Sequence, residues 1–559
     1  MTAKIALLSC VCWALALGAL PARAADRPTK PVVVLSFAGI DELQRDVEYL
    51  GVLAGKPDLA AGFEELLSLL TEGRGWEGVD PARPWGATLS VSADGSRFPA
   101  LAFVPVSDFD KLLITLKVLV GKADDVGGGI YEIKYAASKY YIRKKGDWAC
   151  VAREKKALRE MPNDPLDQLR GLDKQYDLAL GVNAQNIPPA SRGAVMSMFE
   201  QVLEAGLTRR PVGGDNAQQK LPGENINRLL KDLGDLDRLT LGLNIDRSQH
   251  QTYLNLDITA LPGTAVHKSL MAGTQKMPAS RVAGIVATDA VFSLHANAAL
   301  TDADKQQVAA WLKNLRDESA VEIDSLEGVD DGKKSKVGEL AGKLLDLVGK
   351  TSDRGRINAG LVVTGPVGAA EQAITIVAGG LVIDAPEWED TVKQFLALAD
   401  KEAEPRLDVD TYKAHHFHTL SIPIPETETS PVLRQLMGDP VRLTLACGDE
   451  TFFAAVGKEG IDTIKRVIDQ SETTPAEEAT PLMASLGLSP LLHLAASQNR
   501  NQTAAMLAKQ LRGGDDHVLF TMEPLDNGVR YRLKAEADIN RLLGFILSRA
   551  GRIGTARSP

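Results

Sequence analysis

Aromatic residues are scarce in this chain: Phe, Trp and Tyr make up 5% of its 559 residues. Extended platforms for carbohydrate or single-stranded nucleic acid draw much of their affinity from ring stacking, so neither ligand class is expected. Cysteine is scarcer still, four in all, and only Cys150 and Cys447 lie beyond residue 24. Two cysteines cannot staple a protein of this size. They sit on opposite sides of two similar Gly-Asp turns, which favours free buried thiols over a bridge. A basic excess is also missing. The formal charge of −10 provides no general means of neutralising phosphates, which argues against a nucleic-acid partner. Beyond the N-terminal segment no apolar run reaches the ~20 residues that span a bilayer, so no transmembrane anchor is expected in the mature chain.

Catalytic signatures are equally thin. Neither a GxSxG elbow nor an HExxH helix occurs. The fragment GKTS from Gly349 has Leu344 where a phosphate loop opens with Gly, and a helical pattern precedes it instead of a strand. GGGIYE from Gly127 has no third Gly at dinucleotide spacing. The acidic pairs Asp330-Asp331 and Asp515-Asp516 lack the alternating ligands and closing Glu of a calcium loop; they read as solvated charge.

What is present begins with Lys4, an apolar stretch over residues 5–20, Pro21 and then Ala22-Arg23-Ala24. Small residues at −3 and −1 after such a stretch predict a signal peptide, residues 1–24, cleaved after Ala24, and hence a secreted or periplasmic protein. Leu7 to Cys10 has the look of a lipoprotein box but precedes most of the apolar stretch it should follow.

The rest repeats itself. A strand, a polar break and an amphipathic helix recur from Val32, Tyr176, Ala290 and Pro490. Strand, turn, strand and helix recur from Ala87, Arg238, Ile357 and His517. A third unit of three strands and a short helix starts at Ile130 and again at Tyr412, with turns at Gly146-Asp147 and Gly448-Asp449. Asp94-Gly95 and Asn527-Gly528 are hairpin signals. The order predicts an α+β fold: two tandem, internally duplicated halves of antiparallel sheet with helices packed on one face. The halves are expected at residues 25–275 and 290–548, joined by a linker at 276–289 and followed by a flexible tail at 549–559. The charged stretch from Glu327 to Lys336 is a second candidate hinge.

The stretches GVDPARPWGATLSV (Gly78 to Val91) and AFVPVSDFDKLL (Ala102 to Leu113) resemble uncharacterised secreted proteins of planctomycete-type bacteria. The resemblance covers mainly residues 75–275. It implies export and carries no activity.

Three of the eight histidines fall at His415, His416 and His418. Alternation along a strand places His416 and His418 on one face with Leu420, Ile422 and Ile424, and His415 on the other. Two imidazoles at i and i+2 can reach one metal, zinc being the natural candidate, but catalytic zinc needs a third protein ligand. His295, His493, Asp449 and Glu450 are candidates for it. The matching strand of the first half, from Ile130, has no histidine, so such a site would belong to the second half alone.

Repeated modules without a convergent polar constellation point to an exported non-enzymatic scaffold or binding protein of the envelope or periplasm. The alternatives are a metal-dependent hydrolase centred on His416 and His418, and a carrier of an apolar ligand, which requires apolar residues on both faces of its strands.

Overall fold

The computed structural model describes residues 30–555, apart from 93–96, 121–122, 136–137, 160, 189–190, 193–233, 287–289, 327, 366–373, 401–402, 425–433, 435, 474–479, 500 and 512–513. Residues 1–24, expected to form a signal peptide, lie outside the described residues, Cys10 and Ala24 among them. Two compact units emerge: one runs to His267 and takes in the chain again from Lys534, and the other spans Lys268–Leu533.

The first unit contains β1 (Pro31–Phe37), β2 (Trp85–Ser90), β3 (Ala100–Pro105), β4 (Ala123–Asp125), β5 (Ile130–Tyr135), β6 (Ser138–Lys145), β7 (Trp148–Ala152), β8 (Leu178–Asn183), β9 (Leu236–Asp246) and β10 (Gln251–Ala260). They pair antiparallel in the order β10-β9-β8-β1-β2-β3-β7-β6-β5-β4. The β9–β10 turn is set locally. Asp246 Oδ1 accepts from the backbone N–H groups of Ser248 and Gln249, at 3.0 Å each, and His250 takes the left-handed φ of 57° that Asn, Asp and His tolerate best among side-chain-bearing residues.

The second unit contains β11 (Ala290–Ala299), β12 (Arg356–Thr364), β13 (Thr375–Leu381), β14 (Arg406–Tyr412), β15 (His415–Ile422), β16 (Val441–Cys447), β17 (Thr451–Val456), β18 (Leu482–Gly487), β19 (His517–Leu525) and β20 (Gly528–Ala535). Their order is β20-β19-β18-β11-β12-β13-β17-β16-β15-β14. It matches the first unit strand for strand. The fold is α+β with antiparallel sheet, as the alternation of the sequence predicts.

Helices cover both faces of each unit, at different places. In the first, α1 (Ile40–Leu53) and α2 (Leu59–Leu70) follow β1, and α3 (Phe109–Val120) follows β3. α3 buries Phe109, Leu112 and Leu113 against Leu89, Ala100 and Ile142. Leu158, Leu169, the short helix α4 (Leu172–Gln175) and Tyr176 cover the opposite face, packing on Val34, Phe103 and Ala179. In the second unit, α5 (Asp302–Asp324) and α6 (Asp331–Asp353) form a hairpin after β11. α7 (Ala385–Ala397) packs Val392 and Leu396 on Leu420 and Leu445, and α8 (Gly460–Thr473) packs Ile464, Val467 and Ile468 on Val362, Val377 and Phe453. The expectation of helices on one face is corrected accordingly.

Four boundaries differ from the sequence reading. Val282 and Ile285, expected in a linker, are fully buried in the core of the second unit beside Val467 and Ile468, although Pro278, Ser280 and Arg281 just before them give the stretch the composition of a loop. Asp330 caps α6 by accepting from Lys333 N–H at 2.9 Å, so the supposed hinge at 327–336 is largely a helix start, and GKTS lies inside α6. The repeat expected from Pro490 begins earlier, at β18, and Pro490 stands in the first turn of α9 (Leu488–Asn499), where its missing N–H costs nothing. The final helix, Ala537–Thr555, extends into the expected tail and belongs to the first unit. There Asn540, fully buried, accepts from Thr252 Oγ1 at 2.7 Å and donates to His250 O at 3.1 Å.

Candidate functional site

His416 and His418 do share a face of β15, with Leu420. His415 points away, 2.9 Å from Lys413 O and 2.8 Å from Thr451 Oγ1. The other predicted ligands do not join the pair. His295 is buried on β11, His493 is exposed on α9, and Glu450 pairs with Arg281 at 3.5 Å.

Three residues that the sequence reading missed complete the cluster. Glu389 and Lys393 stand one turn apart on α7, and Asp408 sits in a bulge of β14 at a left-handed φ of 52°. Glu389 Oε1 lies 2.9 Å from His416 Nδ1, 3.9 Å from His418 Nε2 and 2.7 Å from Lys393 Nζ. Lys393 Nζ is also 3.3 Å from Asp408 Oδ1. Glu389, Asp408 and His418 are close enough for one cation.

Protonation decides what the cluster can do. His418 Nδ1 is 3.1 Å from the backbone N of Asp408, which is a donor, so the nitrogen must accept. The ring proton is thereby placed on Nε2, the atom that faces Glu389. A protonated nitrogen cannot ligate a metal. Burial of His418 also holds its pKa below the ordinary value, outweighing the pull of the carboxylates, so the ring stays neutral. Burial pushes Glu389 up, but hydrogen bonds from Lys393 and His416 prevail and hold it below the usual carboxylate range; Glu389 and Asp408 in turn raise Lys393. The cation between the two carboxylates is the ammonium of Lys393. Cys447 lies on the adjoining strand, its thiol pushed up to about 12 chiefly by burial, too high for a nucleophile or ligand at neutral pH. Cys150 and Cys447 are both free.

A Ser-His pair elsewhere in the same unit is also structural. Ser280 Oγ is 2.8 Å from His295 Nε2, and it accepts from Val282 N–H at 3.1 Å and Asn358 Nδ2 at 2.8 Å. Both lone pairs are occupied. No electron pair remains for attack, and burial lowers His295 to about 4, too low for a general base at neutral pH.

The sheet itself carries an apolar surface feature. Register puts Val33-Val182-Leu239-Ile258 in one row across β1, β8, β9 and β10. Leu35-Leu180-Leu241-Leu256 forms the next, and Phe37-Leu178-Leu243-Leu254 the third. Every position is apolar; Leu241, Leu254 and Leu256 are 43%, 39% and 38% exposed, most of the others are half-buried, and Val182 and Ile258 in the first row are buried. The reverse face carries Ser36, Gly181, Thr240, Gly242, Asn255 and Asp257, of which Ser36, Thr240 and Asn255 are buried. On β9 and β10 alternation is thus inverted, with apolar side chains outward and small or polar ones inward, while on β1 and β8 the inward face also buries Val34 and Ala179. Tyr176 explains the inward glycine, since its ring lies where a Cβ on Gly242 would fall. The second unit repeats the inversion. Phe292-Leu486-Val518, Leu294-Ala484-Phe520 and Ala296-Leu482-Met522 form three apolar rows across β11, β18 and β19, half-buried or exposed, while Ser293, His295 and Ser485 are buried behind them.

No family model matches the chain, and no curated relative matches it. Among solved structures, crystal form IV of TP0453, a spirochete protein, is similar at 10% identity and a TM-score of 0.22, over 44% of this chain and 83% of that one. Crystal form III of TP0453 gives 11%, 0.23, 46% and 90%. Likenesses of this size carry no argument about fold or function.

Proposed function

We propose that this is an exported, non-catalytic binding protein whose ligand is a hydrocarbon chain of lipid type, laid on the outward apolar rows of its sheets. The rows Leu35-Leu180-Leu241-Leu256 and Phe37-Leu178-Leu243-Leu254 across β1, β8, β9 and β10 carry the reading. Strand spacing and rise make them a patch of about 14 by 7 Å; the row from Val33 runs under cover at Val182 and Ile258, as does β2 at Ala87 and Leu89. Isolated exposed leucines are ordinary, but a contiguous field of them marks a binding surface. Its chemistry selects the ligand class. The backbone groups of these strands are engaged in the sheet ladder, and the field offers no polar side chain. A protein partner would bring groups that need hydrogen bonds, about one per 100–200 Å² of interface; an alkyl chain needs none. The signal-peptide pattern supports placing the protein outside the cytoplasm, where it would hold lipid between membranes or within the envelope.

Organic-solvent extraction of the purified mature protein, followed by mass spectrometry, tests this. Acyl lipid in near-stoichiometric amount, or displacement of a fluorescent fatty acid from delipidated protein, is the expected result. A delipidated protein that takes up neither fatty acid nor phospholipid would overturn the proposal.

A further inference from the structure

The hairpin of α5 and α6 is longer than the fold requires. The first unit reaches the same strand order with helices of 14 and 12 residues between β1 and β2, whereas α5 and α6 have 23 residues each. A helix draws most of its stability from burying an apolar face, yet α5 buries Leu312 alone. On its outer side Trp311, Asn314, Glu318, Val321 and Ser325 are exposed at i, i+3, i+7, i+10 and i+14, Trp311 by 57% and Val321 by 70%. That is the spacing of a coiled-coil seam, about 21 Å long. Covering none of the core, the seam is unexplained by folding.

Charge identifies what covers it. Asp317, Glu318, Glu322 and Asp324 flank Val321, all four exposed, and no Lys or Arg lies between Asp317 and Asp331. None of these carboxylates has an ion-pair partner among the described residues. The next lysines in the sequence are committed elsewhere: Lys333 pairs with Asp400 at 2.6 Å, Lys336 with Glu339 at 2.9 Å, and Lys334 donates to Asp324 O at 2.8 Å. Glu322 and Asp324 also stand in the last turn of α5, at the negative end of its dipole, where a carboxylate weakens a helix. Such a field repels anionic phospholipid and nucleic acid. A second copy meeting it about a two-fold axis would set carboxylate against carboxylate. We infer that the outer face of α5 is the docking site for a basic amphipathic helix of a partner protein, its apolar side chains covering Trp311 and Val321 and its lysines or arginines pairing with the four carboxylates. The inference is independent of the proposed hydrocarbon site, because it rests on different residues.

Fluorescence anisotropy of a labelled helical peptide about 21 residues long, with leucine at the a and d positions of its heptads and lysine elsewhere, tests it. The mature protein should bind this peptide, and should bind at least about tenfold more weakly both a counterpart with glutamate in place of lysine and a scrambled peptide of the same composition. Trp311→Ala/Val321→Ala and, separately, Asp317→Asn/Glu318→Gln/Glu322→Gln should each weaken binding at least about tenfold without lowering the temperature of thermal unfolding, because all five side chains are exposed. Absence of binding, equal binding of the glutamate or scrambled peptide, or binding indifferent to either variant overturns the inference. So does self-association of the wild type that Trp311→Ala/Val321→Ala abolishes, which would make the seam a contact between copies of the chain.

Discussion

Ser280 Oγ lies 2.8 Å from His295 Nε2, and the serine's other two hydrogen bonds, from Val282 N–H and Asn358 Nδ2, oblige it to be the donor. The imidazole must therefore stay neutral, and burial sets its pKa at about 4 against an ordinary 6.5. A base whose folded pKa is depressed contributes stability that is intact above pH 6.5 and is lost as pH falls from there toward 4. The second unit is expected to lose on the order of 3 kcal/mol over that window. A His295→Gln variant, which keeps an acceptor and cannot titrate, should flatten the dependence in pH-resolved thermal denaturation. A wild-type curve that is level from pH 7 to 4.5 would refute the assignment.

The first unit should respond in the opposite sense. Asp46 of α1 is 3% exposed; its Oδ1 accepts from Arg247 Nη1 at 2.7 Å and its Oδ2 has no partner. Burial, then the nearby Asp177, raise it to about 7 from 3.8, and Glu42 adds to this while Arg247 opposes it. An acid whose folded pKa is raised favours folding below pH 3.8 and forfeits that advantage as pH climbs through about 7. The cost above pH 7 is on the order of 4 kcal/mol. Asp46→Asn, which keeps the oxygen facing Arg247, should raise the melting temperature most at pH 8 and roughly a third as much at pH 5. Equal effects at both pH values would mean that Asp46 does not titrate in this range.

Lys393 offers a test of the histidine cluster. Its ammonium sits 2.7 Å from Glu389 and 3.3 Å from Asp408, so Lys393→Met leaves two carboxylates facing each other without a counter-charge. A loss of about 1 kcal/mol is expected at neutral pH, smaller at pH 4 as the carboxylates protonate. Zinc should leave the melting temperature of the wild type unchanged and raise that of the variant, because a divalent ion can then replace the ammonium. Tight zinc binding by the wild type, lost in a His416→Ala/His418→Ala variant, would restore the metal-centre reading.

The succession of strands and helices along the chain was legible in one dimension, through period-two alternation, Gly-Asp turns and recurring helix starts; which strands lie side by side in each sheet was not, because pairing of β1 with β8 or β3 with β7 joins segments far apart in sequence. The cluster around Lys393 was half legible. Alternation along β15 correctly separates His415 from His416 and His418, but Glu389 and Asp408 arrive from α7 and from a bulge in β14. Neither their distance in sequence nor the left-handed backbone at Asp408 leaves a local signal. The inversion of the sheet was hidden for a different reason. Alternation states that Leu239, Leu241 and Leu243 share a face; which face is covered depends on where α3, α4 and Tyr176 pack. Short apolar runs are ambiguous in type as well, which is why the leucines after Pro490 read as strand and fold as α9.

That inversion makes the last prediction unusual in sign. In an ordinary sheet, replacing two leucines paired across β9 and β10 would open the core and cost several kcal/mol. Leu241 and Leu256 are register partners, both more than a third exposed, so Leu241→Asn/Leu256→Asn should change stability by less than about 1 kcal/mol while sharply reducing fatty-acid uptake. Phe103→Ala, in the fully buried core beneath the other face, should cost about 3–5 kcal/mol. Comparing the two separates a binding surface from a core. If the double asparagine variant is destabilised as severely as Phe103→Ala, those leucines are structural and the hydrocarbon site does not exist; if it folds normally and still takes up ligand, the ligand lies elsewhere.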